Sequence, residues 1–372
     1  MKIKVKPEDF IVKEILKLQP SKSGKYVLYR IEKRGWSTLE LLSYVRMKYG
    51  IEIKHAGLKD KHSLSVQYGT SLQDYPVIKG NGFLIQKIGY WWGELGPSDI
   101  EGNHFLIKVR DISNPALLEA IAEAARGFPN YFDEQRFGSR TNEGLIGEMI
   151  LKGEAEKALF LYMTNLRNTD SASMKDLKKY VKENWRNWEQ LENLVPGQFK
   201  PVFRKLKEGG SFLEAWGAFP RGLLTIILTA VQSYYWNLLL SRKLEKEAQF
   251  YLKVAGEKLA CKIGYSPEEL PTMGNDDHSL QLYSRILQEK GIEKLRIKEL
   301  DFKFRSIPRK TFVQAKDFKG HVVEDELFPG KKALILSFML PPGSYATMLL
   351  KVGEACYKKM AGLPGFEPGS DG

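Results

Sequence analysis

Residues 55–67 read HAGLKDKHSLSVQ. Ile51 and Ile53 lead into them with apolar alternation, and Leu64, Val66 and Tyr68 lead out the same way. Between these runs lie Gly57, three lysines, one aspartate and two histidines. The pattern predicts a strand, a tight glycine-containing connection and a second strand. It presents Asp60 at the tip of a hairpin-like turn, between Lys59 and Lys61. A carboxylate kept ionised by neighbouring cations can act as a nucleophile. An aspartate in a turn more commonly bonds its own backbone. The stretch alone leaves both readings open.

Working outward, residues 2–6 (KIKVK) and 25–32 alternate as strands do, and further strands are predicted at 83–91 and 104–110. Ser37 and Glu40 form a capping box ahead of a helix whose Leu39, Leu42, Val45 and Tyr49 share a face. Another helix starts near Asn114, with Pro115 in its first turn, and runs to about Arg126. This mixture predicts an α+β fold with a mixed or mostly antiparallel sheet. At 129–140 the chain reads PNYFDEQRFGSR, without period and dense in side chains that bond or stack. Such a segment reads as a site loop or as a packed loop with satisfied polar groups.

From about Thr141 to Glu299 helical signals dominate. Helices are expected at 143–165, 173–191, 221–245 and 277–290. The second carries Lys175, Lys178, Lys179, Lys182 and Arg186 at helical spacing, which suits a phosphate backbone or a solvated face. Strand character returns at 311–324 and 331–340, Pro341-Pro342-Gly343 breaks it, and a last helix runs to about Met360. The expected organisation is one domain (1–140 and 306–360) interrupted by another (141–305), with a Pro/Gly-rich, disordered tail at 361–372.

The 372 residues carry a formal charge of +12, with 43% hydrophobic and 27% charged residues. The basic excess favours a polyanionic partner, because cations placed on phosphates release counterions. Aromatic residues at 12% suit unpaired bases, although most rings belong in cores. Cys261 and Cys356 form no CxxC pair, and the five histidines show no zinc spacing, so no structural metal is expected. The first residues lack the apolar core of a signal peptide, and the apolar runs around 223–230 and 333–340 are short for a bilayer. A cytoplasmic protein is the expectation.

Together, PEDFIVKE at residues 7–14, HAGLKDKHSLSVQ at 55–67, NYFDEQRFG at 130–138, QSYYWN at 232–237 and FMLPPGSYAT at 338–347 resemble the motifs of the TruD family of tRNA pseudouridine synthases. Any one of these is weak, but the ordered set is highly specific and spans nearly the whole chain. The sequence departs from the family pattern at Asp133, where glycine is usual. A glycine there could serve a positive-φ backbone, which aspartate tolerates better than most residues.

The resemblance implies a pseudouridine synthase catalytic domain with a mixed sheet, interrupted by an inserted, mainly helical TRUD domain. It implies tRNA as partner, and the D-arm uridine at position thirteen as the best-known target. Asp60 matches the catalytic aspartate. Phe10, Asn130 and Tyr345 match positions that line the uridine pocket, and Phe132 and Lys4 match further positions near it. Pseudouridine formation breaks the N1–C1′ bond, turns the base and rejoins it through C5. No redox change occurs and no group is lost, so no cofactor is expected. Asp60 must be ionised, which Lys4, Lys59 or Lys61 would favour. A catalytically silent RNA-binding protein of the same fold is the alternative. Glycoside hydrolysis takes paired carboxylates, and no second acid stands out beyond Glu8, Asp9 and Glu14.

Overall fold

The structure, a computed structural model, describes residues 1–61, 63–167, 170–295 and 297–362. The expected tail at 361–372 lies almost wholly outside them. The chain divides into two compact units. The first comprises Met1–Asn130, Lys262–Ser266 and the described residues from Phe312 onward; the second comprises Tyr131–Cys261 and Pro267–Thr311.

In the first unit, nine strands among the described residues form one sheet. They are β1 (Phe10–Leu16), β2 (Tyr26–Lys33), β3 (Lys54–His55), β4 (Leu64–Ser71), β5 (Val77–Gly80), β6 (Phe83–Trp91), β7 (Ile100–Ile112), β8 (Lys316–Glu324) and β9 (Lys332–Leu340). The order is β8-β9-β7-β1-β4-β2-β6-β5, with β3 pairing β4. Only β1 and β4 run parallel, with Ile11 opposite Leu64 and Lys13 opposite Val66; the other pairs are antiparallel. The fold is thus α+β with a mixed, mostly antiparallel sheet.

Helix α1 (Thr38–Tyr49) starts at the predicted capping box: the Ser37 hydroxyl accepts from the Glu40 N–H, and the Glu40 carboxylate accepts from the Ser37 N–H. Its buried face is Thr38, Leu41 and Val45, whereas Leu39 is half exposed. Leu41 and Val45 pack with Val27, Tyr29, Ile31, Ile51, Ile53, Ile78, Phe83 and Ile85 into one apolar core, and Leu42 and Tyr49 flank it. Helix α2 (Leu117–Ala125) and the C-terminal helix Ala346–Met360 pack on each other elsewhere in the unit.

The second unit is mainly helical. Its long helix, Arg221–Leu244, buries Leu228, Val231, Tyr235 and Trp236 completely or nearly so. With the turn that follows, residues 221–247 are long and apolar enough to cross a membrane, yet 67% of the most apolar window is buried within the protein, as in a core helix. Gly147 lies where a Cβ would come 2.6 Å from the Ile227 carbonyl, so helix Ile146–Leu151 can approach the long helix only without a side chain there.

Two predicted helices are broken. Gly153 (φ +80°) separates Ile146–Leu151 from Ala155–Thr164, and Arg186 (φ +78°) lies between Ala172–Glu183 and Trp188–Leu194. The basic stripe is not a continuous free face either. Lys178 is buried, bonding the Asn165 carbonyl at 2.8 Å and Asp170 at 2.6 Å, and Arg186 pairs with Glu156 at 2.7 Å.

Candidate active site

The connection around Asp60 is broader than a hairpin turn. Strand β3 has two residues and pairs far along β4, Lys54 with Thr70 and His55 with Gly69. The edge of β4 nearer Asp60 is taken by β1, at Leu64 to Val66. The chain from Ala56 to Ser63 therefore needs other anchors. The Lys33 ammonium supplies one, donating to the Trp36 carbonyl at 2.8 Å, the Lys59 carbonyl at 3.1 Å and the Asp60 carbonyl at 2.8 Å. The Thr38 hydroxyl accepts from the Lys59 N–H at 2.9 Å and donates to Gln67 Oε1 at 2.9 Å. The Ser63 hydroxyl donates to the Asp60 carbonyl at 3.1 Å.

The three neighbouring cations divide their work. Lys4 takes the Asp60 carboxylate in a direct ion pair, both side chains being partly buried. Lys59 turns away to the buried Glu14, whose other oxygen accepts from the Tyr68 N–H at 2.9 Å. Lys61 reaches Glu40 at 3.3 Å. Of the three cations that the sequence offered, the one 56 residues away makes the ion pair and the two adjacent in sequence pair elsewhere.

The segment carrying Lys4 is not the strand that KIKVK predicts. Lys2 and Arg110 bond each other's backbones at 2.8 and 2.9 Å, an isolated bridge, and Lys4 then adopts φ +56°. Left-handed backbone is costly for a residue with a Cβ, and here it occurs at the residue that meets Asp60. Arg110 holds both flanks of the segment. Its buried guanidinium grips Asp9 through Nε at 2.8 Å and Nη2 at 2.7 Å, and also bonds Asp325 at 2.9 Å and Glu326 at 2.8 Å. Phe10 follows Asp9. The residue is only 6% exposed, and its ring lies 4.6 Å from Lys4 Nζ and meets Phe105 edge-on at 6.0 Å. The ring thus supports the ammonium that holds Asp60.

Lys4, Phe10 and Asp60 are therefore joined by direct contact. Asn130 is buried at the last residue of the first unit's long N-terminal segment. Tyr345, half-buried, is the N-cap of the C-terminal helix; it follows the Pro341-Pro342-Gly343 turn, where Gly343 adopts φ +79°. Phe132 belongs to the second unit. The Asn237 amide accepts from its N–H at 2.9 Å and donates to its carbonyl at 2.8 Å, joining the QSYYWN and NYFDEQRFG motifs. Trp236 meets the Phe132 ring edge-on at 5.7 Å, and Arg309 lies over it at 3.8 Å. Asp133 has φ −94°, so no left-handed backbone explains a glycine here. It caps the short helix Glu134–Phe137, accepting from the Glu134 N–H at 2.8 Å.

Motif reading passed over Lys33, and it weighed Glu14 only as a second acid. A signal was available: Val27, Tyr29 and Ile31 alternate onto the core face of β2, and Lys33 continues that file. Glu14 likewise follows Phe10 and Val12 on β1. A charge in an apolar register needs a buried partner. Burial pushes the Lys33 ammonium down to about 8, against the attraction of Asp60. Among the described residues no group of three or more His, Cys, Asp or Glu is placed to hold a metal ion.

Comparison with known proteins bears on this arrangement. The family model described as tRNA pseudouridine synthase D (TruD) matches residues 1–269. A protein of Methanocaldococcus jannaschii, "Probable tRNA pseudouridine synthase D 2", is 31% identical over 390 residues, covering 94% of this chain and 91% of that one. The tRNA pseudouridine synthase D of Aquifex aeolicus is 31% identical over 392 residues, covering 94% and 97%. A crystal structure from Methanosarcina mazei that carries the TruD name superposes with a TM-score of 0.62 at 26% identity, covering 94% of this chain and 92% of that one.

Proposed function

This chain belongs to the TruD family of tRNA pseudouridine synthases, isomerases that convert uridine to pseudouridine, and on that premise we propose that it acts on the D-arm uridine at position thirteen of tRNA with Asp60 as the catalytic carboxylate. The observation that carries this reading is the ion pair between Lys4 and Asp60 on a loop anchored from three sides.

An ionised carboxylate can begin the isomerisation in three ways. It can attack C1′, add to C6 of the base, or remove the C2′ proton. Lys4 favours the ionised form that each route needs and fixes the carboxylate's direction. The target base must leave its stack to reach Asp60. Phe10, Asn130 and Tyr345 are the proposed lining of the uridine pocket, with Phe10 acting through the ammonium it supports. The Asn130 amide can both donate to and accept from the uracil edge. Phe132 is proposed as a further contact to the RNA, where a stacked base contributes about 1–3 kcal/mol.

Asp60→Asn tests the reading. The variant is expected to fold and bind tRNA, while kcat falls by at least about 10³-fold. Carbodiimide labelling followed by primer extension reads the product at nucleotide resolution. A normal stop from the variant would sink the assignment of Asp60, and a wild-type stop elsewhere would displace the proposed target uridine.

A further inference from the structure

We propose that Lys33 is a positioning residue for the reaction, fixing the backbone on both sides of Asp60 so that the carboxylate faces its target. The inference rests on the assignment of Asp60 as the catalytic group.

The argument begins with what Lys33 costs. The residue is 2% exposed, in a file otherwise occupied by Val27, Tyr29 and Ile31. Taking an ammonium out of water into that file carries a desolvation cost that an apolar residue would not. What an apolar residue cannot do is donate three hydrogen bonds. Two of the three acceptors are the Lys59 and Asp60 carbonyls. These belong to the two peptide planes that flank the Asp60 Cα, so holding both restrains φ and ψ of Asp60 together. The third acceptor, the Trp36 carbonyl, ties the same ammonium to the entry of α1.

With its backbone held, Asp60 keeps only side-chain rotation, and Lys4 limits that. The two lysines thus act on different parts of one residue: Lys4 on the carboxylate, Lys33 on the main chain. The Thr38 hydroxyl accepts from the Lys59 N–H, one peptide before these two, and the Ser63 hydroxyl donates to the Asp60 carbonyl, so both help to hold the Lys33 acceptors in place. A misplacement near 1 Å can cost about 100-fold in rate. Loss of Lys33 should therefore appear in kcat and leave RNA affinity alone.

Lys33→Met keeps length and apolar volume and removes every donor. The expected result is a kcat about 100-fold lower, with KM for tRNA unchanged and with wild-type amide exchange in β2 and β4. Lys33→Arg keeps the charge, but a planar fork cannot converge on three carbonyls as an ammonium does. It should fold like the wild type, with kcat about tenfold lower at unchanged KM. Wild-type kcat in a folded Lys33→Met chain overturns the proposal, as does a loss confined to KM. Should Lys33→Met fail to fold, the Lys33→Arg chain decides, and wild-type kcat there is equally fatal. Asp60→Asn assayed alongside separates the two levels. If it still forms product, the underlying site assignment fails; if it is silent while the Lys33 variants are fully active, only the role of Lys33 fails.

Discussion

The Asp60 loop and residues 131–138 are both irregular backbone pinned by side chains, and they differ in how far buried charge does the pinning. Under the Asp60 loop the anchors are charged: the Lys33 ammonium grips carbonyls, and buried Glu14 holds Lys59. Around residues 131–138 the following hydrogen-bonding anchors are neutral, with the Arg309 guanidinium lying over the Phe132 ring. The Asn237 amide clamps Phe132, the Ser233 and Thr229 hydroxyls receive Arg136 at 2.9 and 2.8 Å, and the Ala260 carbonyl accepts from the Tyr131 hydroxyl at 2.6 Å. Neutral anchors hold a backbone at any ordinary pH. Charged anchors hold it and also set the field around it, at the expense of desolvation and of sensitivity to titration. The charged scaffold lies where an ionised carboxylate is to be kept in place.

The most severe way to break this contrast is Glu14→Ala. It leaves the Lys59 ammonium without its partner and the Tyr68 N–H without its acceptor, and should destabilise the first unit by about 3–5 kcal/mol. Amide exchange resolved by residue would show faster opening in β1 and β4, with the second unit unaffected. Asn237→Ala is the counterpart on the neutral side. It strips two bonds from the Phe132 backbone and should cost about 2–3 kcal/mol, read as faster exchange at Phe132 and along the long helix. If both losses varied alike with pH, the distinction between the scaffolds would be wrong.

The mildest and sharpest test is alkaline titration. Lys33 titrates near 8 when folded, below its ordinary value of 10.5, because burial outweighs the attraction of Asp60 and Glu40 and Lys59 adds repulsion. Between those two pH values the unfolded chain binds more protons, so global stability should rise with pH through that window. Over the same range neutral Lys33 retains two N–H donors for three carbonyls, and kcat should fall. Lys33→Arg should abolish both trends, and an unchanged alkaline limb in that variant would assign it to another group.

Much of this was legible in the sequence, because alternation and capping are local. The strands at 25–32 and 83–91, the Ser37–Glu40 box and the last buried strand all occur where short-range pattern puts them. The misses have tertiary causes. KIKVK alternates, but Lys4 adopts left-handed backbone where it meets a partner 56 residues on. Lys59 and Lys61 adjoin Asp60 in sequence and face other carboxylates in space. Two helices read as continuous because their apolar period runs on across breaks made by backbone at Gly153 and Arg186. Asp133 caps a short helix in extended backbone, which the family glycine gave no reason to expect.

The sheet order has a consequence for synthesis. Strand β7 lies between β1 and β9, with Phe105 opposite both Val12 and Phe338. On the ribosome its first neighbour is already made, but its second comes more than 200 residues later. At about 5–20 residues per second, translation leaves that edge unpaired for roughly 10–45 s. Exposed apolar edges invite pairing with other chains. All residues of the second unit are made before β9, so the unit that carries Asp60 is the last to be completed. Its completion therefore waits for β9 and the helix after it, and a nascent chain stalled before Lys332 would carry Lys4, Asp60 and Arg110 on an unfinished sheet.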